Sequence, residues 1–570
     1  MKRINKFSFV TAVALLFGTS GCTEVLLEQP RAVITPDFFS TSPGILGGIA
    51  GVYSDMRNLW GTEGFTNIIN GGVDETLVGG SGNPNWFTYN GFSSDDLYPM
   101  WQIAYQDINT LNGVIQFGTA ANIDAVTKKE YLAQAKFMRA FYYFHLVQNF
   151  GDVPLKNKFI TEATTSDTRQ PIKDVYAFII KDLTEASTEL PAQVKAPFLG
   201  KAATQSTALY LLAKTYLTRG WSSAGEATDF QKAYDVANSL ITDRAKYGVD
   251  LWQDFASAQI NANDYGKETL FAIDHSTDLK FGEYTTGSFA SGNKENKTNF
   301  FFRPNYPAVS VAGTTSGVSI IDRDIANGRP FIRIRPNVPY TMDVAFADKK
   351  NDSRYNKTFQ TVWIANKAAV TPRGTLIAGR DTAIWMSGRR VTAAERAALK
   401  GVIFEPSQYL PNVFPSMSKY DDATRGSLND ASTRPLVMYK FSEMFFIAAE
   451  AAFKLGDNVK AAAMLNVVRQ RAAYKSTNTA AQNAAAATAL TIVASDVTLD
   501  FILDERTREF YGEGLRWWDL TRTKSLISRV KKYNPEAATK IQDFHALRPI
   551  PQRQIDAVTS GEKFPQNAGY

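Results

Sequence analysis

Apolar side chains recur at helical spacing in several stretches of the chain. Between Glu130 and Phe150, two apolar stripes fall on different faces, and one of them is built from phenylalanines. A helix that is apolar on two faces is packed on both sides, so this stretch predicts an inner helix. The same spacing predicts further helices at Ile172–Leu190, Lys201–Gly220, Asp229–Asp243, Leu436–Leu455 and Val459–Ala472.

Small residues punctuate the last of these helix pairs. Ala449, Ala452, Gly456 and Ala461 fall at the offsets at which tetratricopeptide repeats place their close helix crossings. Small side chains let two helix backbones approach, so that larger neighbours interdigitate. The pair that begins at Lys201 fits the same pattern only with a longer loop. The sequence therefore predicts a mainly α fold, a tetratricopeptide-like scaffold of interrupted helix pairs.

The helical spacing is lost between about Asn263 and Thr433. This stretch is rich in Gly, Asn, Ser, Thr and aromatic residues, and it predicts short strands at Thr269–Asp274 and Phe331–Ile334 and one short helix at Thr392–Lys400. Long irregular insertions on a rigid scaffold commonly carry binding surfaces. We therefore expect an inserted, loop-rich ligand face.

Composition places the chain among globular proteins. Its 570 residues are 44% hydrophobic and 21% charged, which is too apolar for a disordered chain and too charged for a polytopic membrane protein. Lys2, Arg3 and Lys6 supply half of the net charge of +6, so the basic balance does not indicate a nucleic-acid partner. The chain has 3 histidines, and His145, on the inner helix, is expected to be a core residue.

The first 21 residues have the three-part pattern of a secretory signal: a basic start, an apolar run and a small-residue end before Cys22. This end resembles the lipobox of bacterial lipoproteins, in which the cysteine is lipidated and becomes the mature N-terminus. Thr19 departs from it, since a larger aliphatic is usual there, and the alternative is an ordinary signal cleaved nearby. We expect a signal peptide at 1–21 and a lipid anchor on Cys22 as the membrane attachment.

A dense run of charges near the C-terminus raises the alternative of a surface glycosidase, which needs two carboxyl groups with different protonation states. Every acid of the run has an arginine three positions away: Arg506 with Glu509, Glu513 with Arg516, and Asp519 with Arg522. Because an arginine partner lowers a carboxyl pKa, these acids are poorly suited to protonate a leaving group. The run is interpreted as a structural ion-pair network.

Carbohydrate binding needs exposed aromatic faces for sugar rings and polar groups for hydroxyls. A Gly-, Asn- and Pro-rich segment at residues 80–90 carries two of the candidates, and other aromatic candidates lie in irregular segments. The alternative for each aromatic is burial beneath a long loop. The candidate ligand-binding residues are Trp60, Asp74, Trp86, Tyr89, Tyr306 and Trp363.

Four sequence motifs resemble the SusD/RagB family of nutrient-binding outer-membrane lipoproteins. They are EYLAQAKFMRAFYYFHLVQNFGDVPL (Glu130–Leu155), RPLVMYKFSEMFFIAAEAAFKLG (Arg434–Gly456), LDERTREFYGEGLRWWDLTR (Leu503–Arg522) and LRPIPQRQIDAVTSGEKFPQNAGY (Leu547–Tyr570). Three positions depart from the usual pattern, and all lie in the C-terminal tail: Gln554, Val558 and Ala568.

The resemblance implies a non-catalytic protein that needs no cofactor. Such proteins look like helical scaffolds that capture oligosaccharides, or alternatively peptides, at the outer membrane and pass them to a SusC-like TonB-dependent transporter. A structural Ca²⁺ ion cannot be inferred from the sequence. A second alternative is an assembly lipoprotein that holds protein partners. We expect one unit at 22–570, with helical parts at 22–262 and 434–570 and the ligand-face insertion at 263–433.

Overall fold

The computed structural model describes residues 36–194, 201–276 and 295–570. The expected signal peptide and Cys22 lie outside the described residues. None of the helices in the described ranges is long and apolar enough to cross a membrane.

Helices dominate both ends of the described chain. They are α1 (Pro36–Phe39), α2 (Ser42–Asp55), α3 (Glu63–Asn70), α4 (Asn85–Thr88), α5 (Tyr98–Phe117), α6 (Ala125–Phe150), α7 (Ile172–Glu189), α8 (Gln205–Trp221), α9 (Asp229–Thr242), α10 (Arg244–Tyr247), α11 (Thr298–Phe301), α12 (Arg354–Thr358), α13 (Ala393–Ala398), α14 (Ser442–Lys454), α15 (Asn458–Ala472), α16 (Ala480–Leu490), α17 (Leu499–Phe510), α18 (Arg516–Arg522), α19 (Leu526–Tyr533) and α20 (Gln552–Ala557).

The strands are short, and most lie in the middle of the chain. They are β1 (Thr76–Val78), β2 (Thr269–Ile273), β3 (Ile334–Pro336), β4 (Phe359–Gln360), β5 (Val362–Ile364), β6 (Ala369–Thr371), β7 (Gly374–Leu376), β8 (Thr382–Met386), β9 (Val402–Phe404), β10 (Ser416–Met417) and β11 (Leu436–Lys440).

The helices stack side by side from α5 to α9, and α9 packs against α14, which in turn packs against α15. The helical array therefore continues across the insertion that separates α9 from α14 in sequence. Ala448 and Ala452 of α14 and Ala461 of α15 are buried where the helices cross. The predicted fold class, a mainly α scaffold of helix pairs with an inserted region of short strands, is confirmed.

Helix α6 is the inner helix that the two apolar stripes predicted. Phe137, Phe141 and Tyr142 are all buried, although they point to different sides of the helix. The Asp124 side chain accepts a hydrogen bond from the backbone N–H of Thr127, which caps the start of the helix five residues before the predicted position. Gly151, with φ of 71°, ends the helix where a side chain would be strained.

The helix predicted at Leu436–Leu455 is wrong over its first turn. Residues Leu436–Lys440 form β11, which pairs antiparallel with β2, and α14 begins only at Ser442. Leucine, valine and tyrosine at these positions suit a strand as well as a helix, and the partner strand at Thr269–Ile273 decides between them. The expected strand at Phe331–Ile334 is displaced to Ile334–Pro336, where it pairs with β1.

The insertion builds a small core of its own. Strands β5, β8 and β9 form one sheet, and β6 and β7 form a hairpin. Trp363 of β5, Ile384 of β8 and Tyr306 are fully buried in the cluster beneath them. The loop-rich segment is therefore packed independently of the helical core, while β2–β11 and β1–β3 pairing join it to the helical parts.

We expect the Ala461→Leu substitution to destabilise the protein by about 1–3 kcal/mol, because extra methylenes in a packed helix crossing force strain. Ala463 lies on the same helix and is exposed, so Ala463→Leu is the matched control and should be neutral. Urea denaturation of both variants measures the difference. Equal midpoints would show that the α14–α15 crossing tolerates large side chains.

Candidate functional site

All six candidate residues named from the sequence are buried. Trp86 is 7% exposed and Tyr89 is 9% exposed, and the other four are more deeply enclosed. The expectation that the aromatic rings among them are exposed is therefore wrong, and none of these five rings offers a free face for stacking. The residues are distributed among several separate clusters: Trp60, Asp74, Trp86, Tyr89, Tyr306 and Trp363.

Trp86 and Tyr89 are buried by residues that are distant in sequence. The Trp86 ring stacks on Phe92, with centroids 4.5 Å apart, and the guanidinium of Arg548 lies 4.8 Å from its centroid. The Trp86 Nε1–H donates to Asp96 at 2.9 Å, and the Tyr89 hydroxyl donates to the Gly72 carbonyl at 2.6 Å. The Gly/Asn/Pro-rich loop thus forms the short helix α4 and packs inward.

The other aromatic candidates belong to the two larger cores. Trp60 packs edge-on against Phe65 and His145 in the helical core. Tyr306 and Trp363 stack with centroids 6.1 Å apart beneath the sheet of the insertion, and the Tyr306 hydroxyl donates to the Gly328 carbonyl at 2.7 Å.

Asp74 is held by two arginines of the C-terminal helices. Both of its carboxylate oxygens accept from Arg516 at 2.7 Å, and Arg529 Nε donates to one of them at 2.6 Å. Burial alone would raise the pKa of this carboxyl, but the two guanidinium groups hold the pKa below its ordinary value. Asp74 is therefore a fully engaged ion-pair partner.

The C-terminal charged run is confirmed as a buried ion-pair network, but only one of the three predicted local pairs is present. Asp519 and Arg522 contact each other at 2.8 Å. The predicted pairs Arg506–Glu509 and Glu513–Arg516 are wrong, because partners from elsewhere in the chain reach these side chains. The observed partners are Glu443 and Asp519 for Arg506, Arg354 and Arg471 for Glu509, Lys419 and Lys440 for Glu513, and Asp74 for Arg516.

Glu75, next to Asp74, is the exception in this network. Its carboxylate accepts from the Thr507 hydroxyl at 3.0 Å and the Gly512 N–H at 3.3 Å, and Arg516 Nε lies 3.9 Å away. Burial raises the pKa of Glu75 to about 7, with Arg516 opposing the shift and Asp74 adding to it. A fraction of Glu75 is therefore neutral near pH 7.

An open cavity of about 620 Å³ lies where the N-terminal helices meet the insertion. The start of α3 contributes Glu63, the segment before α5 contributes Asp96, and the insertion contributes Glu295, Lys297 and Phe331. The sequence interpretation missed this site because each contributing segment is short and irregular. The partly exposed aromatic of the insertion that lines the cavity is Phe331, which we had placed at the start of a strand.

The charges around this cavity are arranged in pairs. Arg333 Nε lies 2.6 Å from Glu63, and Lys297 Nζ lies 2.9 Å from Glu295. The guanidinium groups of Arg329 and Arg333 each lie 5.3 Å from the centroid of the Phe331 ring. The lining combines one aromatic side chain with carboxylates and an amide, Asn58. Across residues 36–194, 201–276 and 295–570, no group of three His, Cys, Asp or Glu side chains could hold a metal ion.

Comparison with known proteins places these features in context. The model of the SusD family matches residues 267–570, and a model described as "Starch-binding associating with outer membrane" matches residues 58–217. The SusD-like protein P2 of Formosa agariphila is 32% identical over 294 residues, which are 50% of this chain and 55% of that protein. This chain thus spans about half the length of that relative.

Two solved structures share the fold. One, a laminarin binding SusD-like protein, is 20% identical, with a TM-score of 0.67 over 93% of this chain and 100% of that chain. The other is surface glycan-binding protein A from Bacteroides thetaiotaomicron in complex with laminarihexaose. It is 20% identical, with a TM-score of 0.64 over 92% of this chain and 99% of that chain.

We expect Arg516→Met to destabilise the protein by about 3–5 kcal/mol, because it leaves the buried carboxylate of Asp74 without its bidentate partner. Arg389 pairs with Glu395 on the surface, so Arg389→Met is the matched control and should cost about 0–1 kcal/mol. Urea denaturation measures both variants. A loss for Arg516→Met no larger than for the control would contradict a structural role for the network.

The raised pKa of Glu75 predicts a pH-dependent stability. Between pH 4.5, the ordinary pKa, and about 7 the folded protein holds a proton that the unfolded chain has released. The free energy of unfolding therefore falls as pH rises through this window. The substitution Glu75→Gln should reduce that slope, whereas Glu562→Gln, at an exposed position, should not. Urea denaturation from pH 5 to 8 tests this, and parallel curves for Glu75→Gln and the unsubstituted protein would refute it.

Proposed function

Because the chain belongs to the SusD family, we propose that it is a non-catalytic lipoprotein that captures oligosaccharide at the cell surface. In this proposal, Cys22 carries the lipid that attaches the protein to the outer membrane, and the captured glycan passes to a SusC-like TonB-dependent transporter. The family resemblance supports the transporter and the location. The lipobox-like sequence that ends at Cys22 supports the anchor.

The observation that carries the binding proposal is the cavity of about 620 Å³ between the N-terminal helices and the insertion. Its volume falls within the range of about 300–1,000 Å³ that is typical of small-ligand sites. Phe331 supplies an apolar surface for the face of a sugar ring, and Asn58, Glu63 and Asp96 supply oxygen and amide groups for hydroxyls. This set of groups suits a neutral oligosaccharide.

The charge pattern supports neutral over anionic glycans. Lys297 is the one cationic side chain among the described lining residues, and its Nζ lies 2.9 Å from Glu295. A sulfated or uronate-containing glycan would need a cation that is not already paired, and it would meet the carboxylates of Glu63 and Asp96. Neutral glycans avoid both costs. The names of two structural relatives, which mention laminarin and laminarihexaose, agree with this choice.

The state of the acidic side chains supports a role without catalysis. A glycosidase needs one carboxyl group held protonated and another held ionised. In the C-terminal charged run, Glu509, Glu513 and Asp519 all form salt bridges with two or more cations. Such pairing favours the ionised form of every one of them. We therefore propose that binding is followed by transfer of the intact glycan.

The test is a glycan array that contains neutral, sulfated and uronate-containing oligosaccharides, probed with the full chain carrying Cys22→Ser. We expect binding to a neutral class and a loss of about tenfold or more in affinity for Phe331→Ala, since burial of an aromatic side chain contributes about 1.5–3 kcal/mol. The matched control is Trp385→Ala, because Trp385 is a partly exposed aromatic of the insertion that does not line the cavity.

Each outcome of this test has a distinct meaning. Loss of binding only in Phe331→Ala supports both the function and the site. Equal loss, or loss only in Trp385→Ala, contradicts the site and keeps glycan capture. Failure to bind any glycan contradicts glycan capture and favours a peptide ligand. Release of reducing ends from the bound glycan during incubation would contradict the non-catalytic role.

A further inference from the structure

A second cavity, of about 50 Å³, lies inside the helical core and is separate from the proposed ligand site. It is lined by Trp60, by His145 of α6, by Tyr439 of β11 and by Trp518 of α18. The turn at Gly512–Leu515, which belongs to the Gly-Glu-Gly motif, forms another wall. The cavity therefore lies where the N-terminal helices, the β2–β11 pair and the C-terminal motif meet.

Polar atoms without partners converge on this cavity. The indole Nε1 atoms of Trp60 and Trp518, both ring nitrogens of His145 and the Tyr439 hydroxyl have no hydrogen-bond partner among the described residues. All four side chains are more than nine-tenths buried. The ring of His145 packs between the two indoles, with centroids 5.4 Å from Trp60 and 5.1 Å from Trp518.

Buried polar groups in native proteins nearly always have partners, because an unpaired donor or acceptor loses its hydration without compensation. Several such atoms around one cavity therefore point to a bound polar species rather than to separate defects. Burial lowers the pKa of His145 to about 3, so its imidazole is neutral, with one nitrogen that donates and one that accepts. The occupant must both accept and donate hydrogen bonds.

The charged groups of the lining show that this occupant is uncharged. Lys214 is 2.6 Å from Glu443, and Glu513 is 2.6 Å from Lys419 and 2.7 Å from Lys440. Both charges that reach the cavity wall are thus already paired. An anion or a cation inside would lose its hydration without a free partner of opposite charge.

We propose that this cavity binds a cluster of ordered internal water molecules, held by Trp60, His145, Tyr439 and Trp518. A buried water needs about 10–15 Å³ of such volume, so the cavity has room for about three or four. Water fits the requirement for an uncharged species that both donates and accepts. The cluster bridges the N-terminal helices, β11 and the C-terminal motif by hydrogen bonds that the side chains do not make directly.

The test is a crystal structure of the full chain carrying Cys22→Ser, at a resolution that defines individual waters, together with a second crystal soaked in sodium bromide. We expect density peaks within hydrogen-bonding distance of the Nε1 atoms of Trp60 and Trp518 and of the Tyr439 hydroxyl, with no anomalous bromide signal. A cavity without peaks, or a bromide peak inside it, would overturn the proposal.

Two variants separate the cluster from general effects of removing a buried hydroxyl. Tyr439→Phe removes one polar atom from the cavity wall and should remove at least one water peak. Tyr511→Phe removes another buried hydroxyl that has no partner among the described residues and does not line the cavity, so it should leave every peak in place. An unchanged set of peaks in Tyr439→Phe would show that Tyr439 does not hold the cluster.

Discussion

The compensation of buried charge is the constraint on which the rest of the structure depends. Helices α17 and α18 bury arginines and carboxylates together, and an ion in a protein interior is tolerated only when it is paired and hydrogen-bonded. Their partners come from every part of the described chain: Asp74 near the N-terminus, Arg354 in the insertion, and Glu443 in α14. The C-terminal helices thus connect parts of the chain that are hundreds of residues apart. Any displacement of one part would leave a buried charge without its partner, so the network sets their relative positions.

This constraint also determines the shape of the open cavity. The insertion reaches the N-terminal helices through the β1–β3 pair, and Arg335 of β3 is 2.6 Å from Glu536, just beyond α19. Arg333, one residue before β3, is 2.6 Å from Glu63 on the cavity wall. The segment that carries Phe331 is therefore fixed at both its backbone and its side chains. A site built in this way loses little conformational entropy when a ligand binds, which favours a preformed site over one that closes on its ligand.

Sequence periodicity predicted the helical scaffold well, because the burial of a helix face is written into local spacing. It could not predict which loop aromatics are exposed. Trp86 lies in a segment with the composition of a surface loop, yet it is buried by Phe92 and by Arg548, which is 462 positions later in the chain. The ion pairs show the same limit. Glu509 and Arg506 have suitable helical spacing, but Arg354 and Arg471 reach Glu509 from other elements. The strand at Leu436–Lys440 likewise depends on a partner more than 160 residues away. Phe331 carries no local signal that distinguishes it from the many buried phenylalanines of the insertion.

The buried network and the proposed binding site impose opposite demands on polar side chains. In the core, each carboxylate is matched by several cations, which holds it ionised and fixes its position. At the open cavity, Asp96 accepts hydrogen bonds from the Trp86 indole and the Ser93 N–H rather than from a cation, and its residue remains exposed. An acceptor that is oriented by neutral donors retains lone pairs for a further hydrogen bond, whereas one enclosed by guanidinium groups does not. The same tertiary packing that buries Trp86 therefore orients a carboxylate at the cavity. Aromatic residues that do not touch a ligand can still shape a site through the polar groups that they hold in place.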